Sequence, residues 1–245
     1  MKKLFFTVLT LLFIGNVNSQ VIQQRLLKVE PSDVSEFEAA VAKKTKMYNS
    51  KDGQMKFSTW KILTGQNANH YIRMMHGKSM DDFDNVDNVG NAFWQKTVGS
   101  LHESVGNRIM TRNNESSYAP ENAERNNHRR IIYYNYKDSA SKDFWMFRNR
   151  SKKVWEETSY NQRVSVMECN SGCDSNWVMV RFHHKNFAGE LDDWESRPGF
   201  VKKYNELFGE GSLEQDLGRF RASLMPDGMR LRHHQRMPEL SSPWN

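Results

Sequence analysis

The chain carries one pattern twice, 107 residues apart. Laid on itself at that offset, Phe57-Ser58-Thr59-Trp60 falls on Val164-Ser165-Val166-Met167, and His76-Gly77-Lys78 falls on His183-His184-Lys185, with no gap between them. Over positions 58 to 78 five of 21 pairs are identical: Ser58/Ser165, Gly65/Gly172, Asn69/Asn176, His76/His183 and Lys78/Lys185. Chance would supply about one at ordinary residue frequencies. Ser32/Ser139, Phe37/Phe144 and Lys46/Lys153 extend the match upstream, and Phe93/Phe200, Lys96/Lys203 and Glu103/Glu210 extend it downstream. A duplication of this length sets the size of the folding unit and where a cleft can lie. It names no reaction.

The ends bound the rest. Lys2-Lys3, the apolar run Leu4 to Ile14, and small residues before Gln20 form the pattern of a Sec signal peptide cleaved after Ser19, so a secreted or periplasmic protein is expected. The apolar run is too short to span a bilayer comfortably, and no transmembrane segment is expected after cleavage. The remaining residues suffice for two units of about 110. Loss of Lys2 and Lys3 lowers the formal charge from +6 to +4, a mild excess that does not mark a dedicated nucleic-acid binder. Cys169 and Cys173 are the only cysteines. An oxidising compartment favours a disulfide between them across Asn170-Ser171-Gly172. Free thiols are the alternative, and a zinc site lacks a nearby second Cys/His pair.

Each half reads β-α-β-β-α-β. In the first, Ile22 to Val29 is a strand, Ser32 caps a helix carrying Phe37 and Val41, and Met55 to Leu63 and His70 to His76 form a hairpin. A second helix is expected over Ala92 to Val105 and a last strand over Arg108 to Arg112. In the second half, Arg130 to Tyr136 is the strand, Asp143 to Thr158 the helix, and Arg163 to Asn170 and Asn176 to His184 the hairpin. Pro198 is expected to open a helix running to about Phe208. After about five extra residues, Arg219 to Met225 is expected as the last strand. The resulting division is signal 1–19, first repeat 20–112, polar linker 113–127, second repeat 128–225, and a basic, poorly ordered tail 226–245.

Two tandem βαββαβ units of this size resemble the dimeric α/β-barrel superfamily, ferredoxin-like modules whose sheets here would pair within one chain. NIPSNAP-like proteins, antibiotic-biosynthesis monooxygenases, haem-degrading monooxygenases and chlorite-dismutase-like haem proteins share that architecture. The resemblance rests on the order of elements over residues 22 to 225, not on a motif, and carries over no functional residue. It implies an α+β fold and a small ligand held between a sheet face and its covering helices. It admits haem as cofactor and an oligomeric assembly.

His76 and His183 are the leading ligand-binding candidates because they end equivalent strands; an imidazole there could ligate iron, bind a metal or accept a proton. Strand alternation sets Trp60 on the neighbouring strand as a platform, and places Arg181 on the face of His183. A strand-end histidine bonded to a loop carbonyl, and a tryptophan serving the core, are the plainer readings. There is no Gly-rich phosphate loop, nucleophile elbow, HExxH or CxxCH, and no metal-ligand set is recognised. The expected function is an exported small-ligand-binding or stress-related protein, with a monooxygenase-like or haem-binding enzyme as the alternative.

Overall fold

The computed structural model describes residues 21–121 and 123–244; the expected signal segment lies outside them. The chain runs β1 (Val21–Lys28), α1 (Val34–Tyr48), β2 (Lys56–Ile62), β3 (Tyr71–Gly77), α2 (Asn88–Thr97), β4 (Glu103–Arg112), β5 (His128–Tyr136), α3 (Ser141–Glu157), β6 (Val164–Ser171), β7 (Trp177–His184), α4 (Ala188–Phe208), α5 (Ser212–Ser223) and β8 (Leu224–Arg236). The eight strands close into one antiparallel barrel, ordered β1-β3-β2-β8-β5-β7-β6-β4. The fold is therefore α+β, with helices packed outside a closed sheet.

Residue alternation explains the layers. Side chains at i and i+2 share a face of a strand. Ile22, Trp60, Ile72, Met110, Ile131 and Met179 thus meet in the lumen. The opposite faces bury one layer beneath α1 and α2, around Phe37, Tyr71 and Trp94, and a larger one beneath α3, α4 and α5, around Phe144, Trp155, Tyr204 and Phe220. Asp216 fastens the second layer: its carboxylate accepts from Arg150 at 2.5 Å and from the Tyr204 hydroxyl at 2.8 Å.

The registers keep the 107-residue offset. Ile22 lies opposite His76 and Arg129 opposite His183; Ser58 lies opposite Met74 and Ser165 opposite Arg181. Gly65 and Gly172, both turn residues, adopt φ of +80° and +78°, a region L side chains enter only at a cost. The Cys169–Cys173 disulfide is formed and closes the turn that contains Gly172.

Several expectations change. The last strand is not Arg219 to Met225, which falls mostly within α5; it is β8, which starts at Leu224 and runs on into the segment read as a poorly ordered basic tail. The reason is chemical. Arg232, His234 and Arg236 alternate onto the lumen face of β8, so the buried side of this strand is basic and shows no hydrophobic period. Past it, Leu240 packs into the α1 layer and its carbonyl accepts from Arg73 at 3.0 Å, so these residues are structured as well. Pro198 lies inside α4, not at its start. The helix after β3 is Asn88–Thr97, capped by Asp87, and β4 begins at Glu103. At the start of α1 the cap is Asp33, without a side-chain hydrogen bond, and Ser32 bonds only to Asp33.

Gly172→Ala should destabilise more than Gly65→Ala, although both change a left-handed glycine. A Cβ at 172 would sit 2.0 Å from the Asn107 carbonyl oxygen, whereas at 65 the nearest atom is the Arg232 Cγ at 3.4 Å. Backbone strain alone costs about 1–2 kcal/mol in each. Urea midpoints should separate the two variants, and equal losses would count against this packing.

Candidate functional site

One end of the lumen, where β1, β2, β5 and β6 begin and β3, β7 and β8 end, gathers basic side chains. The structure brings together there all four residues singled out in the sequence. The Ser58 hydroxyl is 2.7 Å from His76 Nε2, and Trp60 Nε1 donates to that same oxygen at 3.0 Å. In the equivalent place Ser165 lies 3.5 Å from His183 Nε2. Arg181 is buried beside both histidines. These two histidines bond side-chain hydroxyls, not loop carbonyls, and Trp60 is fully enclosed.

Arg129, His234 and Arg236 belong to two basic clusters of the sequence, 125–130 and 230–236, and were not expected at this site. Arg129 stacks over Trp60, its guanidinium carbon 3.4 Å from the ring centroid. Nε and Nη1 of Arg129, Nε of Arg181 and both ring nitrogens of His234 are buried without hydrogen-bond partners. The signal available was the run of cations at alternate positions in 230–236, and it read equally well as a solvated face.

The charge is one-sided. His234 is held down to about 3 by burial, then by Arg129 and Arg232. His183 is pushed well below the usual histidine range by burial and the guanidiniums of Arg129, Arg181 and Arg163. Burial, then Arg181, Arg129, Arg236 and Arg125, depress His76 in the same direction, though its partial exposure at the mouth softens the effect. Burial and Arg112 lower Arg181 to about 10.

Two clefts open on the other side of the sheet. The larger, about 640 Å³, lies between α3, α4 and the outer faces of β5 and β7. Phe147, Trp155, Tyr160, Phe182 and Phe200 line it, with Arg148 at its base. Arg148 is buried against the rings of Phe147, Phe220 and Tyr134, and its Nε and Nη1 have no partner. The smaller, about 400 Å³, lies under α1 and α2 and contains Arg73, Lys44 and Trp94. Arg73 there makes three hydrogen bonds, donating to Thr59 Oγ1 at 2.7 Å, the Leu240 carbonyl at 3.0 Å and Thr45 Oγ1 at 3.2 Å.

Haem would need an axial ligand in such a cleft. Among the described residues neither cleft is lined by an imidazole or a thiolate. His76 and His183 point through the opposite face of the sheet into the lumen. The residues present do not fit a histidine-ligated haem in either cleft.

Solved structures of the same architecture span nearly the whole chain. A "putative monooxygenase" from Lactobacillus acidophilus NCFM superposes with a TM-score of 0.61 at 10% identity, covering 91% of this chain and 96% of the other. An anthrone oxidase-like protein gives 0.55 at 10% identity, over 90% and 92%. Chlorite dismutase from Candidatus Nitrospira defluvii in complex with imidazole gives 0.55 at 8% identity, over 91% and 94%. The fold is that of the dimeric α/β barrels; identities this low carry the fold alone. No family model and no curated protein matches the chain in sequence.

The buried histidines fix a pH response. An imidazole held neutral in the folded chain takes up a proton only on unfolding, so its contribution is full above the ordinary value of 6.5 and is lost as pH falls toward 3. Each such group contributes a slope of about 1.4 kcal/mol per pH unit in that window. His234→Leu should flatten the fall in urea stability between about pH 7 and about pH 5. A slope identical to the parent chain's would contradict the assignment.

Proposed function

We propose that this is a small-ligand-binding protein that holds a planar aromatic compound with an acidic group in the cleft between α3, α4 and the sheet. One observation carries the reading: Arg148, whose Nε and Nη1 are buried without a hydrogen-bond partner, is part of the lining of an aromatic cleft. Ligand sites are concave, mostly apolar, and oriented by a few convergent polar groups. The rings supply stacking faces. A carboxylate, sulfonate or phenolate would take the open guanidinium edge in a charge-assisted hydrogen bond. The smaller cleft is the poorer candidate because its arginine already has three partners.

The scaffold belongs to the same proposal. The registers shared at the 107-residue offset, and the strand orders β4-β1-β3-β2 and β8-β5-β7-β6, support two tandem ferredoxin-like units that close the barrel within one chain. Export to the periplasm or medium is supported by the leading sequence only; the test is whether the mature protein begins at Gln20.

Oxygenation of the bound aromatic is the second reading, favoured by the names of two structural neighbours. Oxygen uptake with an anthrone-type substrate would support it, and no uptake would leave binding alone. Haem is a rival occupant. A Soret shift on hemin titration that disappears in Tyr160→Phe would favour it, since Tyr160 is a phenol of the cleft lining.

The direct test uses anthraquinone-2-carboxylate and the uncharged parent anthraquinone, read by quenching of cleft tryptophan fluorescence. The acid should bind at one equivalent, and Arg148→Met should weaken it about 10- to 100-fold, the worth of one charged hydrogen bond, with little change for the neutral compound. Arg148→Lys should recover part of the loss. Equal affinity in the parent chain and both variants would overturn the reading.

A further inference from the structure

On the outer face of the barrel, away from the lumen cluster, three side chains from three elements converge. His128 comes from the start of β5, His233 from β8, and Glu190 from the first turn of α4. His128 Nε2 is 2.8 Å from Glu190 Oε1, and His233 Nε2 is 3.1 Å from Glu190 Oε2. One donor atom from each residue lies within 4.8 Å of the other two. The imidazoles face each other with centroids 5.7 Å apart and planes inclined by 21°. We propose that His128, Glu190 and His233 form a binding site for a divalent transition-metal cation of the zinc or ferrous class.

The donor set is the first argument. Two neutral imidazole nitrogens and a carboxylate suit zinc or ferrous iron, whereas calcium and magnesium prefer all-oxygen shells. An ion about 2.0–2.2 Å from each donor holds neighbouring donors about 3 Å apart, the separation already present between the carboxylate and each ring. Three protein ligands leave a position for water or substrate.

The second argument is the support behind the ligands. His233 Nδ1 lies 3.0 Å from Thr64 Oγ1, and that same oxygen accepts the His233 backbone N–H at 2.9 Å. A ligating histidine commonly gives its other ring N–H to such a group, which fixes the tautomer and leaves Nε2 for the metal. Phe187 covers the pair, its ring 4.4 Å from His128 and 5.0 Å from His233, and shields one side from bulk water. His128 is almost wholly buried, and Glu190 is largely so.

The ligands lie 62 and 43 residues from Glu190. They come from β5, β8 and α4, and the buttress Thr64 lies just after β2. A cation here would pin the start of α4 to the seam where β2 meets β8. This site is independent of the aromatic cleft and requires no enzymatic activity.

The experiment is equilibrium dialysis of untagged, chelator-treated protein against zinc, with cobalt as spectroscopic probe. The parent chain should take up one equivalent of zinc and, with cobalt, show the visible ligand-field bands of bound imidazole. His233→Ala and Glu190→Gln should each lower zinc affinity at least about 10-fold, and Thr64→Val, which leaves all three ligands, should lower it about 10- to 100-fold. Circular dichroism establishes that each variant is folded, and Glu190→Gln keeps a side chain of the same size. Absence of zinc uptake by the parent chain, uptake unchanged in the folded Glu190→Gln and His233→Ala variants, or an equal preference for magnesium would each overturn the proposal. The last two would leave only a carboxylate bridging two imidazole N–H groups.

Discussion

Everything else depends on closure of the sheet at two seams. β2 meets β8 through Trp60–Arg236 and Ile62–His234, and β4 meets β6 through Met110–Cys169 and Arg112–Met167. Unclosed, each four-stranded sheet would present two unpaired edges and an uncovered face. Closure converts those faces into a lumen and leaves the opposite faces for the helices. The β2–β8 seam is the shorter, and it is reinforced from outside: Leu63 N–H donates to the His233 carbonyl at 2.8 Å, and Met237 N–H to that of Thr59 at 2.9 Å.

Closure also buries positive charge with little counter-charge: of the three lumen arginines, Arg236 alone feels a nearby carboxylate, Glu239, among the described residues. Arg129, Arg181 and Arg236 enter the lumen with three histidines, and aromatic faces stand where carboxylates would be expected. Arg129 lies on Trp60 and Arg236 on Trp244, at 3.4 and 3.9 Å. A desolvated cation–π contact is worth about 2 kcal/mol, while burying an ion costs several. The faces offset part of that cost, and the neutral histidines avoid adding to it. The lumen end is thus closely filled and rich in buried cations, a poor place for a bulky ligand.

Much of the fold was legible because it rests on local signals. The hairpins, α1, α3 and the strands that begin each half follow period-2 and period-3.6 patterns with glycine and asparagine turns. Gly65 and Gly172 were visible as a matched pair because both meet the same left-handed requirement. β8 was hidden because burial there selects arginine and histidine, and α4 was shortened because Pro198 reads as a helix start when its neighbours are unseen. Strand parity put His76, Trp60, His183 and Arg181 on one face of their strands, but bringing them together needed the closure of the sheet. Arg129 and His234 needed the pairing of β5 with β8, which links residues about a hundred positions apart and leaves no periodic trace. His128, Glu190 and His233 likewise share no spacing that a motif could carry.

The halves have the same frame and different chemistry, and the difference follows from where arginine partners lie. Under α1 and α2, Arg73 is consumed by Thr45, Thr59 and the Leu240 carbonyl, so this cleft is structural: it anchors the segment after β8. Under α3 and α4, the chain contributes no such segment. Arg148 keeps two open nitrogens, and α5, inserted before β8, fills the far end of the layer with Phe220 instead of a polar partner. The C-terminal residues thus complete one cleft by crossing to it, and the other stays available. The difference between the two clefts thus lies less in strand order than in which of them the segment after β8 reaches.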